Sequence, residues 1–368
     1  MIYLDNAATS FPKPRTVVRE VIKCLTQYCG NPGRSSHGLA LAAADKIFET
    51  RVEIADFLGA EKCENVIFTP NATYALNLVI KGLVNEKCHC IISDIEHNSV
   101  LRPLYKTVGK YGGSISVFDS DNALDEAIIP LIREDTKIII STLCSNVTGK
   151  VLDFHKLSEI AKRYGLHLVI DASQYLGHCP ISLNDAYYTA LCSAGHKALF
   201  GIQGSAFALI KNTEVFDTLT EGGSGVDSFS STMPILLPER YEAGTVSTPA
   251  IASLGAGIDF IRYVGIDKIE EHLKCLTDMM KSELSAIAEV KLYGADNGIA
   301  AFNVRDYPSS YVSEYLNSFG IATRSGFHCA PLIHKKLGTE KSGAVRVSLS
   351  YFNSENDIHN LVKALKKI

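Results

Sequence analysis

Lys197 stands where a charge is costly. It follows the apolar run 188–192 through Ser193-Ala194-Gly195-His196, and a Gly-rich turn, Phe200-Gly201-Ile202-Gln203-Gly204, comes after it. An ammonium at a buried strand end loses its hydration, which is unfavourable unless it is paired or neutralised. A desolvated lysine of lowered pKa is also the group that bonds an aldehyde as a Schiff base. Asp171 lies 26 residues upstream, closing the run Leu166-His167-Leu168-Val169-Ile170, with Gln174 close behind. A carboxylate at a strand's C-terminal end can pair with a pyridinium nitrogen and keep it protonated. Lysine for an aldehyde and aspartate for a ring nitrogen together point to pyridoxal 5'-phosphate. The third candidate is Cys329, in the loop Thr323-Arg324-Ser325-Gly326-Phe327-His328-Cys329-Ala330-Pro331. Next to His and Arg it is either an exposed thiol of lowered pKa, hence a nucleophile, or a half-buried loop residue.

The elements around these residues set where they can meet. Short apolar runs at 66–68, 90–92, 114–118, 137–142 and 166–170 alternate with helical patterns at 71–82, 97–111, 123–132 and 154–164. Runs buried on both faces and joined by helices predict an α/β architecture, a parallel or mostly parallel sheet between helices. Ligands of such sheets bind beyond the carboxyl ends of the strands. The polar candidates fall there: Asn71-Ala72-Thr73, Glu96-His97, Ser145-Asn146, Asp171 and His196-Lys197. Asn71-Ala72-Thr73 is either a helix N-terminus that receives a phosphate or an ordinary cap.

Upstream, helices are expected at 15–28 and 39–57, the second capped by Gly59. They flank the loop Gly30-Asn31-Pro32-Gly33-Arg34-Ser35-Ser36-His37. Before them, Asp5-Asn6-Ala7-Ala8-Thr9 is an ordinary turn or a close approach to a ligand. Residues 221–231 read as a mobile or partner-contacting loop. A helical stretch follows at 251–288, broken near Gly265. Strands at 290–293, 299–304, 321–323 and 344–349 and helices at 309–319 and 354–366 then make a small α+β unit. The expected division is a large cofactor domain, 15–250, and a small domain, 1–14 plus 251–368, carrying the Cys329 loop. Arg346, within a strand pattern, is either an edge residue or a bidentate grip on a carboxylate.

Composition narrows the function classes. The chain has 368 residues and a net charge of −4, which favours neither nucleic acid nor an anionic membrane. The N-terminus lacks the pattern of a signal peptide, and no apolar run approaches the ~18 residues of a spanning helix. Ten scattered cysteines fit reduced thiols and a cytoplasmic protein better than disulfides. Cys88-His89-Cys90 has no second pair at ligand spacing and leads into a strand, so it reads as structural and no metal is expected.

In sequence the chain resembles the class V aminotransferase group of fold-type I pyridoxal phosphate enzymes, and within it the cysteine desulfurases and selenocysteine lyases. Seven ordered motifs carry the resemblance: Asn71-Ala72-Thr73, Glu96-His97-Asn98, Ser145-Asn146-Val147-Thr148-Gly149, Asp171-Ala172-Ser173-Gln174, Gly195-His196-Lys197, Glu242-Ala243-Gly244-Thr245 and Arg324-Ser325-Gly326-Phe327-His328-Cys329-Ala330. The compact cysteine loop looks like that of the group II desulfurases. The resemblance implies a seven-stranded sheet and conversion of L-cysteine to L-alanine, with sulfur held as a persulfide on Cys329. Selenocysteine lyase or another class V reaction is the alternative, and a non-enzymatic scaffold is more remote. It further implies that Lys197 bonds the cofactor and moves protons, Asp171 pairs with the ring nitrogen and Gln174 contacts the phenolic oxygen. His97 stacks on the ring and acts in acid/base steps. Ala72, Thr73 and His196 hold the phosphate, and Thr245 reaches the phosphate of a second subunit, so a homodimer is expected. Asn146 and Arg346 bind the substrate carboxylate, Arg324 and His37 line the entrance, and Ala8 lies on the substrate side. The acceptor is a protein or small thiol, such as an iron–sulfur scaffold. Two positions depart from the pattern. Ala194 stands where a phosphate-binding Ser or Thr is usual, leaving that hydrogen bond missing or supplied by Ser193 through a local shift. Ile202 stands where proline is common.

Overall fold

A computed structural model describes residues 1–33, 36–211 and 216–368. Arg34 and Ser35 of the expected 30–37 loop lie outside the described residues. Seven strands form the main sheet in the order Val66–Thr69, Ala206–Ile210, Ala190–Ala194, His167–Asp171, Thr136–Thr142, His89–Ser93, Ser114–Phe118. Six of them run in the same direction, and only Ala206–Ile210 opposes both its neighbours. The sequence pattern does not mark that strand, because an antiparallel neighbour needs no crossover helix to announce it. Successive side chains feed opposite faces: Ile139 packs into one apolar core, Ile138 and Ile140 into the other. Helices Gly38–Leu58, Phe154–Tyr164 and Thr248–Val264 cover the first face; Ala72–Leu83 and Asn98–Lys110 cover the second.

The parallel strands end at one edge, and their exits carry the polar motifs. Asn71 and His97 cap the helices that follow two of them, each side chain accepting a backbone N–H, from Tyr74 and Ser99 respectively. Gly149 is forced: its φ is 75°, and a Cβ there would sit 1.7 Å from the carbonyl oxygen of Asp296.

A second, antiparallel sheet has the order Arg324–Gly326, Ala344–Ser348, Ile299–Val304, Val290–Asp296. Arg346 therefore lies on an inner strand and is 1% exposed, which corrects the edge reading. The long helical stretch divides into Thr248–Val264 and Ile266–Ser285 at Gly265, whose φ is 95°. The segment expected as one cysteine loop holds a short strand, Arg324–Gly326, and is followed by the helix Pro331–Lys336. Ile2–Tyr3 pairs in parallel with Ile321–Ala322 as a separate two-stranded sheet, and a bridge between Asp5 and Ser348 ties the N-terminus to the four-stranded one. Residues 221–231 form neither helix nor strand, and Phe229 is exposed there.

All ten cysteines are free thiols, six of them buried. His89 is buried and bonds the hydroxyls of Thr136 and Ser116, each at 2.8 Å, as a structural residue does. Among the described residues no cluster suited to a metal occurs, and no helix is long and apolar enough to cross a membrane.

Candidate active site

The strand ends and the second sheet enclose a cavity of about 210 Å³ that contains Lys197 and Asp171. A larger cleft of about 890 Å³ holds neither, so volume alone does not mark the site. Lys197 arrives there because Gly195 lets the chain leave its strand against Ser205, where a Cβ would meet the Ser205 hydroxyl at 2.5 Å. No hydrogen bond or ion pair among the described residues holds the Lys197 ammonium. Burial lowers its pKa to about 8, with Asp171 acting in the opposite sense and Arg346 adding to the fall. Asp171 is 5% exposed, and its carboxylate accepts the N–H of Ser173 at 3.0 Å. Gln174, beside it, donates its amide to the carbonyl of Ala7 at 2.9 Å.

His97 is half-buried above the helix it caps. Its Nδ1 accepts the N–H of Ser99 at 3.0 Å, so the ring proton belongs on Nε2. Burial, then the charge of Lys197, pushes its pKa down to about 4, leaving the ring neutral at physiological pH. Ser99 also meets the Thr73 hydroxyl at 2.7 Å. His196 is likewise kept neutral by burial, with a pKa near 4, and its Nδ1 is buried without a partner among the described residues.

The opposite wall is cationic. Arg324 and Arg346 are register partners on adjacent strands, and both line the cavity. Arg346 gives one nitrogen to Asp5 at 2.7 Å and another to the Asn146 carbonyl at 3.0 Å, while its Nε has no partner among the described residues. Three cations thus face a single lining carboxylate, Asp171, an arrangement suited to anionic ligands. Asn146 donates its amide to the carbonyl of His328 at 2.7 Å. His328 is 4% exposed and bonds the Ala344 carbonyl at 3.1 Å; burial lowers its pKa to about 3. It therefore has no positive charge to lend to its neighbour Cys329.

Ala8, Ala72, Thr73, His97, Asn146, Asp171, Gln174, His196, Lys197, Arg324 and Arg346 all line this cavity. Four other expected residues do not. Ser193 is buried on the opposite face of its strand, its hydroxyl without a partner, whereas the Ala194 methyl faces the cavity. Strand alternation fixes that outcome and rules out the local shift that would have let Ser193 stand in. Thr245 is exposed in a separate cleft with Phe48 and Leu237. His37 is exposed and caps the helix Gly38–Leu58. Cys329 is exposed just outside, one residue beyond the lining His328. Ser99, Ser173, Thr142 and Cys144 line the cavity without having been singled out. Ser99 and Ser173 lie inside or next to motifs that the sequence does mark, and a hydroxyl two residues beyond His97 or Asp171 was the available signal.

These residues fit pyridoxal phosphate. The unpartnered nitrogens of His196 and Arg346, the hydroxyls at a helix N-terminus and the isolated amine facing one carboxylate form a donor set of the kind it requires. The family model for class-V aminotransferases matches residues 2–361. A protein of Methanothermobacter thermautotrophicus named "Probable cysteine desulfurase" is 32% identical, over 100% of this chain and 94% of that one. A protein of the same name from Pyrococcus abyssi is 30% identical over 100% and 94%. The solved apo structure of a cysteine desulfurase from Thermococcus onnurineus superposes with a TM-score of 0.90 at 29% identity, covering 100% of this chain and 94% of that one. On matches of that length and identity, the chain belongs to the class-V aminotransferase family and, within it, to the cysteine desulfurases.

Proposed function

We propose that this chain is a pyridoxal phosphate-dependent cysteine desulfurase in which Cys329 receives the sulfur of L-cysteine. The observation that carries the reading is Lys197, an amine held near pKa 8 by burial beside one carboxylate, in a cavity otherwise lined by cations and neutral donors. Ala72, Thr73 and His196 hold the cofactor phosphate, Asp171 keeps the ring nitrogen protonated, and Gln174 approaches the phenolic oxygen. When bound, the cofactor supplies a sink for the electron pair left at Cα. Lys197, whose lowered pKa makes its neutral form accessible near physiological pH, takes the Cα proton and returns it. His97, neutral and carrying its proton on Nε2, would stack on the cofactor ring and take part in the acid/base steps. Arg346 and Asn146 grip the substrate carboxylate, and Arg324 and Ala8 border it. The Cys329 thiolate attacks the substrate sulfur. The C–S bond breaks, a proton replaces sulfur on carbon, and the balance is L-cysteine plus thiol giving L-alanine plus persulfide. An exposed thiol at the cavity edge can both reach the substrate and pass sulfur to a protein or small-thiol acceptor.

Thr245, which lines a different cleft from its own chain's cavity, is read as serving the site of a second copy. Exposed Phe48, Ile235 and Leu236 near its cleft supply apolar surface for such a homodimer. A thiol that must return to the reduced state each cycle suits a reducing compartment such as the cytoplasm.

The test is mass analysis of the Cys329 peptide after brief exposure to L-cysteine, with alanine measured in parallel. The expected result is one added sulfur atom and an equal amount of alanine. Sustained sulfide release by Cys329→Ala would overturn the persulfide step.

A further inference from the structure

Resting on the pyridoxal phosphate reading above, we infer that Ser173 is a phosphate-binding residue and supplies the hydroxyl that the strand end at Ala194 lacks. The strand Ala190–Ala194 presents alternate residues to opposite faces, so only position 194 can place a side chain in the cavity, and it offers a methyl group. Ser193 points away with a buried, unpartnered hydroxyl. The cavity nevertheless has a hydroxyl at that spot. Ser173 lies two residues past Asp171, on the adjacent strand's exit, is 6% exposed and lines the cavity. Its Oγ accepts the backbone N–H of Ala194 at 3.2 Å, which places the oxygen against the strand end itself. That bond uses Ser173 as an acceptor, and among the described residues no acceptor takes its hydroxyl proton. The free proton joins the buried, unpartnered Nδ1 of His196 and the paired hydroxyls of Thr73 and Ser99, which line the same cavity. An oxyanion with several acceptor positions satisfies this set of donors. The backbone N–H of Ser173 separately holds Asp171 at 3.0 Å, a contact any residue at this position keeps.

Ser173→Ala therefore removes one phosphate donor and leaves the partner of the ring nitrogen in place. The experiment titrates cofactor-free protein with pyridoxal 5'-phosphate and, separately, with pyridoxal, reading the visible absorbance of the bound form. Wild-type protein, Ser173→Ala, Ala194→Ser and the double variant are compared. A hydrogen bond to a charged group predicts about 10- to 100-fold weaker binding of the phosphate ester by Ser173→Ala. Pyridoxal binding stays unchanged, and adding Ala194→Ser to Ser173→Ala restores affinity for the ester. Equal weakening toward both ligands, or no weakening, would overturn the role. Failure of the wild-type protein to bind the ester at all would instead overturn the cofactor reading, so the two failures are distinguishable. Circular dichroism of each cofactor-free variant confirms that a loss is not unfolding.

Discussion

Lys197 hangs from a strand whose every residue is buried, whereas Cys329 is an exposed thiol on the turn that follows the strand Arg324–Gly326. The first region is held by covalent continuity with a core: Ala190–Ala194 is hydrogen-bonded on both sides, and Gly195 packs against Ser205. The second is held by a few polar contacts. Asn98 donates its N–H to the Cys329 carbonyl at 2.7 Å, and Asn146 donates its amide to the His328 carbonyl at the same distance. His328 and Cys329 both have left-handed backbones, with φ of 47° and 56°. Each such residue costs about 1–3 kcal/mol, so the turn persists only while its contacts outweigh that strain. On the proposed roles, the group aligned with a cofactor is built into the sheet, and the group that accepts sulfur and releases it is placed where few bonds need to break.

The largest separation between the regions comes from Lys197→Met. Turnover should fall by at least about 10³-fold, since the proposed acid/base group and the proposed partner of the aldehyde are lost together. Cofactor-free protein should nonetheless become more stable. The Lys197 pKa is lowered in the fold, from 10.5 to about 8, so its burial is a destabilising term. Below pH 8 both folded and unfolded chains carry the ammonium, and the full penalty, about 3 kcal/mol, applies. Between pH 8 and 10.5 the unfolded chain binds more protons than the folded one, and the penalty is relieved as pH rises. Denaturant unfolding at pH 7 and pH 10 should show the variant's advantage shrinking at the higher pH. A constant difference would mean that Lys197 is not desolvated, and the contrast with the exposed loop would collapse.

The second test bears on the loop. Asn146→Ala removes the bond to the His328 carbonyl while leaving its own backbone carbonyl for Arg346. A buried donor to an otherwise unsatisfied carbonyl contributes about 1–3 kcal/mol. Alkylation of Cys329 should therefore accelerate several-fold in the cofactor-free protein, with little change at Cys29 or Cys275, the other exposed thiols. The same variant should raise KM for L-cysteine about tenfold, because Asn146 is also proposed to bind the carboxylate. Unchanged alkylation with a raised KM would separate the two roles and leave the loop held by its contacts with Asn98 and Ala344.

How much of this was legible depended on whether the cause was local. The strand exits were readable because period, caps and small residues act over a few positions: Asn71 and His97 cap helices where the pattern breaks, and Lys197 and Asp171 end apolar runs. The strand Ala206–Ile210 was missed because it pairs without a crossover helix. The face of Ser193 turned on strand register, which a motif read one residue at a time does not fix. The burial of Arg346 required knowing that Arg324–Gly326 forms an outer strand and makes Ala344–Ser348 an inner one. The cationic wall is a consequence of that same pairing and has no signature in either segment alone.

Lys336 offers the finest test of the contrast, because it tethers the loop region from outside the cavity. It closes the helix Pro331–Lys336, which begins two residues after Cys329, and its ammonium meets Asp94 at 2.7 Å, Asp119 at 2.5 Å and Asp121 at 2.6 Å. Burial works against its charge, but the three carboxylates outweigh that and raise its pKa. Hydrogen bonds from Lys336 to Asp119, and from Lys150 and then Lys336 to Asp121, lower the pKa of those carboxyls. Their stabilising effect is complete above the ordinary carboxyl value of 3.8 and is lost as pH falls below it. The cluster is partly exposed, so screening limits it to about 1 kcal/mol. Lys336→Met should lower the unfolding free energy by that amount at pH 7, and the loss should shrink in molar salt. Even if all of it acted on the loop, sulfur delivery from Cys329 would change by no more than about fivefold. A larger kinetic effect, insensitive to salt, would show that the helix after Cys329 is positioned as rigidly as the strand before Lys197.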